Sequence, residues 1–406
     1  MILQSCSTSS LVACNIYITS AASAALPSLL TRAQDHCRQL RLRLVQQQTK
    51  ESNTATATTT AAVAAIVHAY ADIPYDRSSF HLAGRSDCVA EVAIQLIQNA
   101  LNEIELKKND DNDPSNKLEA RHPFVGLVDH VAVMPIKNDN ANQAFGTTSP
   151  ATSTTTAAAT ATAAREIGSQ IIDQSNSIKV HYYGLACPNH TPLATVRRRN
   201  TSFFHSGGGA HHDDDKIIAN NNEQAAAAAV TKEVFEKGEC TIGAPLEFVE
   251  NYNIRLTPNV DFNTAKTLTQ ALRGRNIATK GMGVVGVEAL TLPYNRNVVD
   301  HEGGNGKVYE VACNLLEPKV GSVDKIEVEL QKWIQKLKQQ LVKDENDDVN
   351  DRYNRDYFIE KAYRVGTTEE QCLSVLKNAD EDDGYWMQYD QQVFSRFNDF
   401  LGQTSE

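Results

Sequence analysis

The sequence predicts an α+β protein of two similar halves, and three observations carry that prediction. Short segments alternate apolar and polar residues at strand spacing, while longer ones between them repeat apolar residues at helical spacing. The order strand, helix, strand, strand, helix is read twice. A Gly/Asn-rich stretch, Glu302-Gly303-Gly304-Asn305-Gly306-Lys307, joins two strands of the second half as an antiparallel connection does. Together these give two βαββα units of the ferredoxin-like pattern with a cleft between them.

The elements follow in order. Leu11-Val12-Ala13-Cys14-Asn15-Ile16-Tyr17-Ile18 reads as a buried strand running into a helix over 20–42. Strands follow at 62–70 and 77–84, then a helix over 87–106. Ser86 is its expected N-cap, and Val89, Val92, Ala93, Leu96, Ile97, Ala100, Leu101 and Ile104 form one apolar face. Strands at 124–136 and 178–184 and a short helix over 192–199 complete the first half. The second half reads as strand 246–256, helix 261–273, strands 284–294 and 307–318, and helix 324–343, with Ile326, Leu330, Trp333, Ile334, Leu337 and Leu341 on one side. The expected division is 10–237 and 238–344, followed by an acidic linker and tail helix over 345–406. Four segments, about 51–60, 107–120, 138–164 and 205–229, are poor in large apolar residues and read as disordered insertions.

Composition narrows the function. The chain has 406 residues, 41% of them hydrophobic, and no run approaches the roughly 20 apolar residues that cross a bilayer. A net charge of −11 argues against nucleic acid or anionic lipid as a general partner. The eight cysteines form no CxxC pair, which favours buried thiols in a reducing, cytoplasmic setting over disulfides or structural zinc. Residues 1–34 superficially resemble a transit peptide, but basic residues are absent until Arg32 and the strand reading of 11–18 is preferred.

The densest chemical candidate is Arg121-His122-Pro123-Phe124-Val125-Gly126-Leu127-Val128-Asp129-His130, at the mouth of an apolar strand. An imidazole titrates near neutral pH and can relay protons, and Gly126 admits a ligand or another backbone closely; a structural histidine is the plainer alternative. A second cluster is Asp72-Ile73-Pro74-Tyr75-Asp76-Arg77, able to meet the amide-like edge of a heterocycle, or simply a solvated turn. The strand end Tyr183-Gly184 and the stretch Lys237 to Ala244, with Gly238 and Gly243, offer close backbone approach without phosphate-loop order. Arg197-Arg198-Arg199 could receive a polycarboxylate tail or be a charged helix end. His211, His212 and Asp213 to Asp215 sit in low-complexity sequence that cannot preorganise a metal, so no metal is expected.

The run His122-Pro123, Gly126, Asp129, followed by an apolar strand ending at Pro135, resembles the formiminotransferase domain of glutamate formimidoyltransferases, closest to short eukaryotic members without the deaminase. Residues 11–18, the Asp76-Arg77 loop leading to Gly84, the helix after Asp87, Tyr183-Gly184 and Gly238 to Asn253 match in the same order. The resemblance implies two ferredoxin-like subdomains around a tetrahydrofolate site, and transfer of a formimino group from N-formiminoglutamate to N5 of tetrahydrofolate, the acceptor substrate. It implies His122 as the base, with Asp72, Asp76, Arg77, Gly126, Asp129, Tyr183, Gly184, Gly238 and Gly243 in the folate and substrate site. Partners would be these small molecules, and a homodimer is compatible with it. Two departures stand out: Leu185 replaces the family's acidic residue after the Tyr-Gly pair, and of the folate loop over Ala229 to Gly238 only the final glycine is kept. A noncatalytic folate-binding or scaffold protein is therefore the alternative.

Overall fold

The computed structural model describes residues 10–51, 63–106, 123–137, 150–201, 235–274, 283–294, 308–344, 354–378 and 383–402. In the first half the strands are β1 (Leu11–Ile18), β2 (Ala64–Asp72), β3 (Arg77–Arg85), β4 (Val128–Pro135), β5 (Lys179–Gly184) and β6 (Glu239–Ala244). Its helices are α1 (Leu26–Glu51), α2 (Ser86–Glu103), α3 (Pro150–Gln174) and α4 (Leu193–Asn200). The second half carries β7 (Glu250–Leu256), α5 (Phe262–Leu272), β8 (Val287–Tyr294), β9 (Val308–Leu315), α6 (Val323–Asp344), α7 (Arg355–Phe358) and β10 (Ile359–Val365). Two helices follow, α8 (Glu369–Asn378) and α9 (Asp383–Gly402).

The first sheet has the order β2-β3-β1-β4-β6-β5 and the second β10-β7-β9-β8. In the first, β1 lies antiparallel between β3 and β4, and β2 pairs antiparallel with β3. In the second, β7 lies antiparallel between β10 and β9, and β8 pairs with β9. Both are therefore two interleaved split βαβ units, the ferredoxin-like arrangement. The first is extended by β6 and β5, which run parallel to β4.

The first helix, expected over 20–42, runs over Leu26–Glu51, and three larger assignments differ from the sequence reading. Strand β6, expected to open the second half, completes the first sheet, so the division falls at 245–249 rather than at 237. The segment expected to be linker and tail helix supplies β10, the strand that turns the second βαββα unit into a closed βαββαβ motif. The alanine/threonine run at 150–164, read as part of an insertion, is the first half of α3. Alanine is the best helix former, and here its small side chain also packs: Thr160, Ala161, Ala163 and Ala164 are buried together with Ile167 and Ile171. The remaining expected insertions, 52–60, 107–120 and 205–229, lie outside the described residues. Ser86 is the first residue of α2 rather than its cap, which falls on Arg85.

Strand alternation gives the first sheet two unlike faces. Val12, Cys14, Ile16 and Ile18 of β1, Phe80 and Leu82 of β3, Val131 and Val133 of β4, and Ile242 of β6 join α1, α2 and α3 in the larger core. The intervening residues face the other way. At one end these are Ala13, Ala65, Ala83 and Met134, covered by Phe248, by Cys372, Val375 and Leu376 of α8 and by Trp386 of α9. In the second sheet Tyr252, Ile254, Leu256, Val311, Cys313 and Leu315 pack on α5 and α6.

Candidate functional site between the two sheets

The faces of the two sheets turned away from α1, α2 and α3 and from α5 and α6 meet, and what lies between them is polar and aromatic. From the first come Asn15 and Tyr17 of β1, Arg77, Ser79 and His81 of β3, His130 of β4, Tyr183 of β5 and Thr241 of β6; from the second, Asn251, Asn253, Arg255 and Glu310. The Tyr17 hydroxyl donates to Asn251 Oδ1 at 3.5 Å, from one sheet to the other. Tyr17 stacks on His130 at 5.6 Å between ring centroids, meets His81 edge-on at 6.1 Å, and lies under the Arg77 guanidinium at 4.5 Å. His130 Nε2 is 2.8 Å from the Tyr183 hydroxyl. Burial, reinforced by Arg197 and Arg77, holds His130 well below the usual imidazole range. The low pKa favours the neutral ring, whose Nε2 pairs with the phenol as donor or acceptor according to its tautomer.

Asp129 organises one side of this surface. The β1–β4 pairing runs Tyr17 to His130 and Ile18 to Val128, so Asp129 is the extra residue of a β-bulge. Bulges re-aim a side chain next to functional sites. Fully buried, Asp129 accepts from the backbone of Val125 at 2.9 Å, from Arg77 at 2.7 Å and from Arg197 at 3.2 Å. Arg197 also reaches Thr241 Oγ1 at 3.4 Å, and Thr241 in turn donates to the Asp129 carbonyl at 3.1 Å. Of the arginine run only Arg198 and Arg199 are exposed; Arg197 is 9% exposed and belongs to this cluster, not to a surface site for a polycarboxylate tail.

The other predicted residues are distributed around the cluster. His122 lies outside the described residues, immediately before Pro123. Gly126 and Gly238 face each other in an isolated bridge, and a Cβ on Gly126 would come 2.4 Å from the Glu239 carbonyl. Gly238 has φ +79° and its Cβ would meet the Gly126 Cα at 2.6 Å. This pair therefore serves backbone on backbone, fixing the segment that follows His122 against the entry to β6. Gly243 lies under the Tyr183 ring, where a Cβ would stand 2.4 Å from Cδ1. Gly184 ends β5 beside the Ala244 carbonyl.

Asp72 and Asp76 lie apart from Asp129, in the β2–β3 connection. Asp76 adopts φ +47° and accepts from the Ala21 backbone at 2.8 Å, tying the loop to the β1–α1 junction. Asp72 accepts from the Tyr70 hydroxyl and the Tyr75 backbone, and its burial raises its carboxyl to about 6. Leu185 packs against the helix-side core, away from the cleft. Sequence reasoning gave no site role to Tyr17 or to the second-sheet residues, and named His130 and Thr241 only as members of longer candidate runs. Their signal is a polar residue recurring every second position within strands that are otherwise buried. Among the described residues no group of three His, Cys, Asp or Glu is placed to hold a metal ion.

Residues 45–244 match the sequence model of the formiminotransferase domain, N-terminal subdomain. The match ends at Ala244, the last residue of β6 and of the first sheet. No curated protein matches the chain. Among solved structures, the periplasmic protease PqqL from Escherichia coli is similar at 12% identity over 98% of this chain and 42% of that one, with a TM-score of 0.15. The chain thus spans less than half of that protein, and a likeness of that score carries no argument.

Proposed function

Since the chain carries a formiminotransferase-like domain over residues 45–244, we propose that it is a folate-dependent transferase moving a formimino group from N-formiminoglutamate to N5 of tetrahydrofolate. The observation that carries this reading is the match to the whole of the first sheet beyond β1, whose face turned away from α1, α2 and α3 meets the second sheet through polar and ring side chains. In this reading tetrahydrofolate lies between the sheets, and Arg77, Asp129 and Tyr17 form one wall. His122 takes the N5 proton as nitrogen attacks the formimino carbon, then gives a proton to the departing glutamate nitrogen. Tyr183, Gly184 and Gly243 shape the same side, Asp72 and Asp76 border it from the β2–β3 connection, and Gly126 and Gly238 fix the segment that follows His122. We assign the reaction to the cytoplasm: six of the seven described cysteines are buried, and none is in a disulfide. No helix of the described residues is long and apolar enough to cross a membrane.

The second reading is a folate-binding protein without turnover: of the family's folate loop over Ala229 to Gly238 this chain keeps only the final glycine. Titration with tetrahydrofolate, followed by N-formiminoglutamate and a readout of 5-formimino-tetrahydrofolate, separates the two. The transferase binds and turns over; the second reading binds only; absence of binding removes both. His122→Ala is expected to lower turnover by about two orders of magnitude with folate affinity nearly unchanged. Parallel loss of both would remove His122 from the role of base.

A further inference from the structure

The loop between β2 and β3 reaches across to the second sheet. Tyr75 at its tip is 6% exposed and packs with Leu292, Tyr294 and Val308, its ring edge-on to Tyr294 at 5.1 Å. Its hydroxyl donates to Glu310 Oε1 at 3.1 Å. Glu310 is fully buried on β9 and also accepts from Asn253 Nδ2 at 2.7 Å, Arg255 Nε at 3.3 Å and the Tyr363 hydroxyl at 2.8 Å. Arg255 donates to Tyr363 at 2.9 Å and covers the Tyr294 ring at 3.6 Å. A carboxylate offers about four lone-pair positions. Strands β7 and β10 fill three of them from within the second sheet, and Tyr75 supplies the fourth from the first.

Withdrawing the loop would leave a buried carboxylate one donor short, which the interior penalises more heavily than the same loss in water. The contact is also directional, unlike the apolar seam of Phe248, Cys372, Val375 and Leu376 at the other end of the interface. Two residues after Tyr75 stands Arg77, whose guanidinium is on Asp129. Tyr75 is held at both ends: its backbone N–H by Asp72, its hydroxyl by Glu310.

We propose that Tyr75, docked on Glu310, is a positioning residue that sets the spacing of the two facing sheets and the placement of Arg77 in the cleft. What fills the cleft rests on the folate reading; the pinning of the sheets does not. Tyr75→Phe removes the hydroxyl and keeps the ring, so the variant is expected to fold, with a melting temperature within a few degrees of the parent.

The test is hydrogen exchange over 73–77 and 308–315, with tetrahydrofolate binding measured on the same samples. Exchange in both segments is expected to rise about tenfold or more, and folate affinity to fall about tenfold, the loss of one buried hydrogen bond. Glu310→Gln added to Tyr75→Phe is expected to cost less affinity than the two single effects summed, because the two groups act as one unit. Parental exchange in both segments overturns the proposal, whatever happens to the melting temperature. Raised exchange with parental affinity overturns its cleft half. If the parent protein binds no folate, the folate reading falls, and the exchange result still decides whether Tyr75 pins the sheets.

Discussion

The two faces of the first sheet are built from the same strands by different physics. On the helix side Ile16, Phe80, Leu82, Val131 and Ile242 are buried by apolar neighbours, and each contact is non-directional. On the cleft side Asn15, Ser79, His81, Asp129 and Thr241 are buried almost as completely, yet each is a polar group that needs a partner of the right geometry. An apolar face tolerates a change of shape if volume is kept, whereas a buried polar face tolerates loss of a partner badly even if shape is kept. The cleft side can therefore hold a defined arrangement of charges and rings without the support of overlying helices along most of its length.

The largest effects test that contrast directly. Phe80→Ala and Asp129→Ala are each expected to cost about 3–5 kcal/mol in urea denaturation, one by cavity formation and the other by leaving Arg77 and Arg197 without their shared carboxylate. The near-isosteric changes separate the faces. Phe80→Leu is expected to recover most of its loss, costing about 1.5 kcal/mol or less. Asp129→Asn is expected to keep most of its loss, at about 3 kcal/mol. Equal recovery by both would erase the distinction.

A smaller effect comes from a place where this face depends on an absent side chain. Gly243→Ala puts a methyl group into the Tyr183 ring. It is expected to cost about 1–3 kcal/mol and to push the ring off His130, lowering the imidazole's isolation from protons. NMR titration of His130 reads the change as a rise of its pKa toward the ordinary value.

The smallest effect is a pH dependence. Asp72 titrates at about 6 in the folded protein against an ordinary value of 3.8, chiefly because it is buried, with Glu310 also raising it and Tyr70 and Tyr75 opposing. Between these values the folded chain holds the extra proton, so this carboxyl favours folding least above pH 6 and its cost disappears below 3.8. Asp72→Asn is expected to gain about 1–2 kcal/mol relative to the parent at pH 8 and nothing at pH 4, by denaturation at the two pH values. A gain independent of pH would assign it to packing instead.

Most of the helix-side face was legible in the sequence, because apolar residues at spacing two or three to four identify both the element and the side it buries. Strand Leu11–Ile18 falls where the alternation put it. The cleft face was harder to read. Tyr17 and His130 alternate with apolar residues just as surface positions do, and only the second sheet lying opposite makes them interior. The fourth strand of the second unit escaped because Ile359–Val365 is a half-exposed edge strand of mixed composition. Its place follows from pairing with β7, a long-range contact that no local pattern encodes. The alanine-rich start of α3 was misread for a related reason: low apolar volume signals a missing core only where no neighbouring helix approaches closely. The site glycines were legible as positions of close approach, but Gly126 and Gly238 turned out to approach each other.

Helix α9 has a consequence beyond the hydrophobic surface it covers. It lies along β2, one of the two edge strands of the first sheet, with Phe397 against Phe80, Phe400 against Tyr70, and the Tyr389 hydroxyl donating to the Val67 carbonyl at 2.7 Å. A bare outer strand of composition Ala-Ala-Ile-Val-His-Ala-Tyr-Ala-Asp would be a template for recruiting a strand from another molecule. The helix thus acts as a guard against self-association. A fragment ending before Asp383 is accordingly expected to betray its loss first by chains sticking to one another, and only afterwards by melting.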